Sequence, residues 1–387
     1  MSIFLRFRFF ASDKHNAVSF RNAGENMDIL KLNSISKLAN PVLEGYNLTD
    51  NSQNPVGILV RSFKMDEYEV PSSLLAVARA GAGVNNIPHA EYAKKGICVF
   101  NTPGANANAV KELVIAALII GARNINEAIN WASTLKGDDV AKQVEKGKGQ
   151  FAGSEIAGKT LCVLGLGAIG RKVASSAHAL GMNIAGYDPF ISEAAKAEIP
   201  FVTIFDTMQA AWSDADFVTL HMPMTPETKG LVNTNTISTM KDGVIIINAA
   251  RGELCEVTAI KDALENKKIR KYVVDFPNEE CIGVDGIVAI PHLGASTEEA
   301  EDNCAVMAGT ELKDYIENGN IVNSVNLPCV KAQKSASHRY TVVSIDNGEN
   351  RFGGISATRN GLRYTIIDTE DELTIDGEDV IKARKVY

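Results

Sequence analysis

The sequence lacks three features that would assign it to other classes of protein. The longest apolar run in the body of the chain, residues 113–121, is too short to span a bilayer. Acidic residues outnumber basic ones, giving a net charge of −8, so a nucleic-acid-binding surface is not expected. None of the six cysteines belongs to a CxxC pair, and most lie in apolar surroundings. This cysteine usage predicts buried, reduced thiols in a cytoplasmic protein.

The composition is that of a folded protein with two or three domains. Of the 387 residues, 45% are hydrophobic and 22% are charged, which allows a sizeable core and excludes wholesale disorder. Residues 1–26 carry Arg6, Arg8 and several aromatic residues, with no acidic residue before Asp13. We expect an extension ahead of a first strand that begins at Met27; an organellar transit peptide is the alternative.

Strand-like and helix-like segments alternate through most of the chain, which predicts a parallel sheet covered on both faces. The predicted strands are residues 27–32, 56–60, 97–100, 160–164, 183–187, 217–220, 243–248, 271–274 and 286–290. The predicted helices are residues 109–132, 168–180, 258–266 and 298–318, the last closed by Gly319. From about Lys331 the pattern changes to two strand-like segments, 339–344 and 362–368, which predicts a small separate unit.

A glycine-rich turn follows the predicted strand 160–164. In the sequence Gly165–Gly170 (GLGAIG), the first glycine permits a tight turn, Gly167 lets the backbone approach a pyrophosphate, and the last lets helix pack on strand. The helix that begins there would present unpaired N–H groups to the phosphates. Asp188 ends the next strand, where a carboxylate would accept the ribose hydroxyls. Its charge should repel a 2′-phosphate, which favours NAD over NADP.

The alternative interpretation is a glycine-rich turn of an ordinary α/β protein, with Asp188 serving only as a turn residue before Pro189. The order of strand, turn, helix, strand and acidic residue favours the dinucleotide site.

Three further segments lie where predicted strands end. They are Asn248–Gly252 (NAARG), Asp275–Glu280 (DFPNEE) and Pro291–Thr297 (PHLGAST). Together with GLGAIG, His221–Thr228 (HMPMTPET) and Ala80–Val84 (AGAGV), they resemble the D-2-hydroxyacid dehydrogenases over about residues 27–327. Ligands bind at this edge of the sheet in such folds.

The resemblance implies a catalytic group of three residues. His292 would exchange the hydroxyl proton, a carboxylate would stabilise its imidazolium form, and Arg251 would anchor the substrate carboxylate. The family spacing, measured from Asp275 and Arg251, selects Glu280 as the carboxylate, whereas alignment on the phenylalanine selects Glu279. We favour Glu280.

The resemblance also implies the residues that line the nucleotide and substrate sites; no metal site is implied. The cofactor would be NAD, bound by Gly165, Gly167, Ala168, Ile169, Gly170, Asp188, His221, Pro223, Thr228, Ala249, Ala250, Asp275, Gly294 and Ala295. The substrate would be bound by Arg61, Ser62, Arg79, Gly81, Ala82 and Gly83. Arg61 and Arg79 would give a phosphate a cationic clamp, although solvated surface charges are the alternative for Arg61 and Lys64.

The implied fold is α/β. A doubly wound NAD-binding (Rossmann) domain, residues 106–295, would be inserted into a smaller flavodoxin-like substrate domain, residues 27–105 and 296–326, with the ligands in the cleft between them. Residues 333–387 resemble the second half of an ACT regulatory domain. They are predicted to form a shortened ACT-like α+β element, because no helix pattern follows the strand 339–344. ACT domains in this family bind serine, but an assembly role is equally compatible with the shortened tail.

The expected reaction is therefore the NAD-dependent oxidation of a phosphorylated 2-hydroxy acid, 3-phospho-D-glycerate, which is the first step of L-serine biosynthesis. The alternatives are a glyoxylate/hydroxypyruvate reductase or another D-2-hydroxyacid dehydrogenase, and a non-enzymatic NAD-sensing binding protein. A homodimer or tetramer is expected from the family, and the helix 109–132 is a candidate dimer element. No nucleic-acid or membrane partner is expected.

Overall fold

The computed structural model describes residues 27–387; the predicted extension at residues 1–26 lies outside them. The described chain divides into two compact units, one formed by residues 27–102 and 304–387 and the other by residues 103–303. The helix α11 (Glu298–Asn318) begins in the second unit and continues into the first.

The first unit contains a parallel sheet of five short strands in the order β2-β1-β3-β4-β5. Its strands are β1 (Asp28–Leu32), β2 (Asn47–Thr49), β3 (Gly57–Val60), β4 (Ala76–Arg79) and β5 (Cys98–Phe100), and its short helices are α1 (Ala39–Val42) and α2 (His89–Lys94). The apolar side chains of β3, β4 and β5, and those of Ile29 and Leu30 in β1, are almost fully buried, as expected for a parallel sheet covered on both faces.

The tail forms a separate antiparallel sheet in the same unit. Its strands are β13 (His338–Ile345), β14 (Ile355–Arg359), β15 (Leu362–Thr369) and β16 (Val380–Lys385), in the order β14-β15-β13-β16. The two predicted strands, 339–344 and 362–368, are confirmed. No helix follows the first of these strands, as the sequence predicts. Residues 331–387 contain no helix at all, so the α part of the predicted α+β element is not present. Instead, the loops that replace the helices contribute Phe352 and Ile375 to a small core on one face of the sheet.

The other face of the tail sheet is fixed to the carboxyl end of α11. Arg384 donates to the carbonyl of Ile316 (2.9 Å), Arg339 donates to that of Asn318 (2.9 Å), and the hydroxyl of Tyr364 donates to that of Gly319 (2.6 Å). The last carbonyls of a helix have no partners within the helix, so these three side chains satisfy groups that would otherwise be buried unpaired.

The second unit contains a seven-stranded parallel sheet in the order β12-β11-β10-β9-β6-β7-β8. Its strands are β6 (Thr160–Leu164), β7 (Asn183–Tyr187), β8 (Val202–Ile204), β9 (Phe217–Leu220), β10 (Val244–Asn248), β11 (Ile269–Val274) and β12 (Ile287–Ala289). The order reverses between β6 and β9, and in doubly wound sheets ligands bind outside the carboxyl ends of the strands at this point. The predicted parallel sheet is thus confirmed.

Helices of the second unit pack on both faces of its sheet. The helices of this unit are α3 (Ala107–Arg123), α4 (Ile125–Ala132), α5 (Val140–Gly147), α6 (Ala168–Ala179), α7 (Glu193–Ala197), α8 (Met208–Trp212), α9 (Thr234–Ser238) and α10 (Val257–Glu265), of which α4 and α5 contain no buried residue. Two apolar clusters lie on opposite faces, one built on α3 and α6 and the other on α8, α9 and α10.

The predicted single helix 109–132 is wrong, because the chain breaks into α3 and α4 at Asn124. That residue adopts a left-handed conformation with φ 50°, which cannot continue a helix. Its side chain and that of Glu127 accept from the Nζ of Lys271 at 3.0 and 2.8 Å. Lys271 is only 3% exposed, so the break supplies the polar partners that a buried ammonium needs.

None of the helices formed by residues 27–387 combines the length and the hydrophobicity needed to cross a bilayer. All six cysteines are free thiols; five are buried, as predicted, and Cys329 is exposed.

Candidate active site

The glycine-rich turn joins β6 to α6 with the geometry that the sequence predicts. Gly165 has a φ of 91°, and a Cβ there would lie 2.7 Å from the carbonyl oxygen of His221. A Cβ at Gly170 would lie 1.9 Å from the carbonyl oxygen of Gly165, so no larger residue fits. Gly167, by contrast, is the N-cap of α6 and has open space around its Cβ position. These residues fit a dinucleotide, because the open cradle lies at the N-terminus of a 12-residue helix.

Asp188 lies beside this turn, directly after β7. Its Oδ2 accepts from the N–H of Leu166 (2.8 Å), and its Oδ1 accepts from the N–H of Phe190 (2.9 Å). The carboxylate is therefore oriented by two backbone donors at the rim of the cradle. Ala168 and Ile169, two further predicted cofactor residues, form the first turn of α6.

The loop after β9 is held by its own side chains. The ring Nε2 of His221 lies 3.0 Å from the hydroxyl of Thr219, and the hydroxyl of Thr228 donates to the carbonyl of Pro223 (2.8 Å). Burial lowers the pKa of His221 to about 4, so its ring is neutral near pH 7. This neutral ring suits a wall of a nucleotide pocket better than it suits proton transfer.

Arg251 follows β10, and its loop is oriented by Asn248, which is fully buried. The Oδ1 of Asn248 accepts from the N–H of Ala250 (3.1 Å), and its Nδ2 donates to the carbonyl of Arg251 (2.8 Å). The amide thus fixes the turn on which Ala249, Ala250 and Arg251 lie. Sequence reasoning did not assign a role to Asn248, although a polar residue ending a run of isoleucines is a usable signal.

His292 lies on a turn after β12 that Asp275 holds in place. Asp275 is 2% exposed, and its two carboxylate oxygens accept from the N–H groups of Leu293 (2.7 Å) and Gly294 (2.8 Å). A Cβ at Gly294 would lie 2.9 Å from the Asp275 Oδ2, so glycine is required for this approach. His292 itself has a φ of 54°, a conformation uncommon outside glycine that the turn imposes. Burial raises the pKa of Asp275, and the two N–H donors oppose that rise.

The ring of Phe276 brings Arg251 and His292 together. The guanidinium carbon of Arg251 lies 5.6 Å from the centre of this ring, and the imidazole of His292 is 4.3 Å from it, centre to centre. A cation, an aromatic ring and an exposed imidazole therefore share the carboxyl edge of β10, β11 and β12. The sequence placed Phe276 in a motif without giving it a role.

A cleft of about 1150 Å³ opens beside His292. Glu280, Phe276, Gly252 and Pro291 also line it, whereas Glu279 is not among its lining residues. Within residues 27–387, no hydrogen bond or ion pair joins His292 to either glutamate. Glu280, and not Glu279, therefore lines the same cleft as the imidazole, whereas Arg251 is not among the residues that line it.

The predicted substrate residues of the first unit cluster at the carboxyl edge of its own parallel sheet. Arg61 follows β3 and Arg79 ends β4. The Nε of Arg79 donates to the carbonyl of Arg61 (3.0 Å), and its Nη1 donates to the carbonyl of Gly83. The N–H of Ser62 donates to the Oδ1 of Asn33 (3.2 Å). Arg79 therefore connects the loop after β3 to the loop after β4.

The loop of small residues after β4 is hydrogen-bonded to two residues that follow β5. The Nδ2 of Asn101 donates to the carbonyl of Ala82 (2.6 Å), and the N–H of Thr102 donates to that of Gly81 (3.2 Å). The loop Gly81–Gly83 is thus held by the side chain of Asn101 and the backbone of Thr102, two residues that the sequence did not single out.

Comparison with known proteins identifies the class. Residues 115–294 match the model of the NAD binding domain of D-isomer specific 2-hydroxyacid dehydrogenases. The chain belongs to this family of dehydrogenases, and its cofactor is NAD.

Individual relatives within this family carry the name D-3-phosphoglycerate dehydrogenase. The chain is 38% identical over 275 residues to the D-3-phosphoglycerate dehydrogenase of Methanocaldococcus jannaschii, covering 70% of this chain and 51% of that protein. It is 34% identical over 285 residues to the enzyme of the same name from Archaeoglobus fulgidus, covering 71% and 52%. The chain therefore spans about half the length of these curated relatives. The NAD+-bound 3-phosphoglycerate dehydrogenase of Entamoeba histolytica superposes with a TM-score of 0.61 at 25% identity, covering 78% of this chain and 99% of that one.

Proposed function

We propose that this protein oxidises 3-phospho-D-glycerate to 3-phosphohydroxypyruvate with NAD, the first step of L-serine biosynthesis. The observation that carries the proposal is the placement of Arg251 and His292 against one ring, Phe276, at the carboxyl edge of the NAD-binding sheet. The relatives with the highest identity above are named D-3-phosphoglycerate dehydrogenase. The geometry supports a 2-hydroxy acid as substrate, and the names of the relatives support a phosphorylated one.

His292 is the proposed acid and base. Oxidation removes the hydroxyl proton and a hydride from C2, leaving a carbonyl. NAD, when bound, supplies the acceptor for the hydride. The imidazole takes the hydroxyl proton, a general-base role that histidine side chains commonly fill. Asp275 accepts hydrogen bonds from the two residues that follow His292, and it thereby holds the turn that carries the ring.

Glu280 is the proposed partner of His292. A carboxylate on the same cleft stabilises the imidazolium that forms when the proton is taken. Glu279 does not line that cleft, so we expect it to take no part in catalysis, and it serves as the matched control for Glu280.

Arg251 is the proposed anchor of the substrate carboxylate. A guanidinium can bind a carboxylate through two parallel hydrogen bonds, and it polarises the carbonyl in the reverse direction. Arg61, Ser62 and the loop Gly81–Gly83 are proposed to bind the substrate phosphate, with Arg79 beside them. The remaining predicted cofactor residues, including Ala295 after the His292 turn, are proposed to line the nucleotide site.

The proposed organisation keeps a substrate domain at residues 27–105 and 296–326, an NAD-binding domain at residues 106–295 and the ACT-like tail at residues 333–387. We propose a homodimer or tetramer in the cytoplasm, as expected for the class of enzyme.

Reduction of three keto acids tests the proposal. NADH oxidation by the purified protein is followed at 340 nm with 3-phosphohydroxypyruvate, hydroxypyruvate and glyoxylate. We expect the kcat/KM for the phosphorylated compound to exceed the other two by about a hundredfold, because a phosphate gains charge-assisted hydrogen bonds that the others lack. A preference for glyoxylate or hydroxypyruvate would replace the proposal with a reductase of the same family. Absence of turnover with intact NADH binding would favour an NAD-sensing protein.

A further inference from the structure

Leu166, which lies between Gly165 and Gly167, has both of its backbone polar groups hydrogen-bonded to side chains. Leu166 is 1% exposed. Its N–H donates to the Oδ2 of Asp188 (2.8 Å), and its carbonyl accepts from the Nη1 of Arg171 (2.9 Å). Two side chains from different elements therefore fix the two backbone groups of one buried residue.

Holding the Leu166 carbonyl also sets the direction of the next N–H. The carbonyl of Leu166 and the N–H of Gly167 belong to one planar trans peptide, in which they point in opposite directions. Among residues 27–387, no group accepts a hydrogen bond from this N–H, and a Cβ at Gly167 would meet no atom within 4 Å. The donor is thus available to a ligand at this turn, where the pyrophosphate of a dinucleotide binds in this fold.

The position of Arg171 is unfavourable for the helix itself. It is the fourth residue of α6, and a cation in the first turn opposes the helix dipole. Its ion pair with Glu198 (3.0 Å) contributes little, because the Glu198 side chain is 63% exposed. Its hydrogen bond to the Leu166 carbonyl, made by a charged donor that is itself half-buried, is the stronger of the two contacts.

We propose that Arg171 is a positioning residue for the cofactor. It acts through the Leu166 peptide, which it holds so that the Gly167 N–H is aimed at the pyrophosphate. Asp188 holds the same residue from the ribose side, so the phosphate and ribose subsites are linked through one buried leucine. The inference concerns NAD binding alone and does not depend on which hydroxy acid is oxidised.

Binding of cofactor fragments tests this inference. NADH is titrated by its fluorescence, and ADP and adenosine are measured by displacement of NADH, with wild type and Arg171→Met. ADP contains the pyrophosphate, whereas adenosine does not. We expect the substitution to raise the Kd of NADH and ADP about tenfold, which corresponds to about 1.4 kcal/mol, and to change the Kd of adenosine less than about twofold.

Two control variants separate positioning from charge and from folding. Lys172→Met removes a neighbouring exposed cation and should leave every Kd within about twofold of wild type. Arg171→Lys retains the charge but not the planar donor group, so it should weaken ADP binding about as much as Arg171→Met. If Arg171→Met does not fold, the lysine variant alone gives the result.

Two results would overturn the proposal. Full recovery of ADP binding in Arg171→Lys would mean that the charge attracts the phosphates directly. Equal weakening of ADP and adenosine, or no weakening of ADP, would mean that the Leu166 contact does not position the phosphate donor.

Discussion

Replacing Glu311 by glutamine should make the protein more stable at neutral and alkaline pH. Glu311 lies on α11 and is 8% exposed. Its Oε1 accepts from the Nδ2 of Asn323, and its Oε2 is buried without a hydrogen-bond partner. Burial without a cation raises the pKa of this carboxyl from its usual 4.5 to about 7.

The magnitude follows from the shift in pKa. A folded-state pKa above the unfolded value means that the folded protein holds its proton more tightly. The contribution to stability is therefore full below about pH 4.5 and is lost as the pH rises towards about 7. Above that pH the ionised carboxylate costs about 3 kcal/mol, the equivalent of the shift. Glutamine has no charge to bury and keeps an oxygen for Asn323, although its buried N–H₂ group gains no evident acceptor.

Urea denaturation between pH 5 and pH 9 measures the effect. Circular dichroism is the suitable signal, because both tryptophans lie in the other unit and would not report on α11 directly. The free energy of unfolding of Glu311→Gln should be close to that of wild type at pH 5 and about 2–3 kcal/mol higher at pH 8. Glu349→Gln, which removes an exposed carboxylate, should follow wild type throughout. A difference between Glu311→Gln and wild type that stayed constant across this pH range would refute the reasoning.

Three further predictions concern the proposed enzyme. Glu280→Gln should lower kcat about a hundredfold and shift the pH profile of kcat, whereas Glu279→Gln should leave both near wild type. Equal losses of kcat in the two variants would contradict the assignment of Glu280 as the partner of His292. Arg61→Ala should raise the KM for 3-phosphohydroxypyruvate about tenfold and that for hydroxypyruvate much less, and equal changes would contradict a phosphate role. Serine titrated up to millimolar concentrations should not inhibit, because the tail contains no helices; saturable inhibition would show that its sheet and loops form an effector site.

The dinucleotide turn was predictable because its constraints are local. Gly165 needs a positive φ and Gly170 has no room for a side chain, and both requirements follow from a strand that turns directly into a helix. The strands β6, β7 and β9 begin and end where the apolar pattern predicted, since buried parallel strands need continuous apolar runs. The clustering of Arg251 and His292 follows as well, because the carboxyl ends of parallel strands meet at one edge.

The sequence alone therefore determined the Rossmann sheet, its nucleotide turn and the residues carried to its edge, because each rests on neighbours in the chain. Only the tertiary structure decided which distant groups meet. Asn124 breaks a continuous helical pattern beside the buried Lys271, Asp275 holds the turn of His292, and Arg384 of the tail satisfies the end of α11. These contacts depend on burial and on partners far apart in sequence, and no local pattern encodes them.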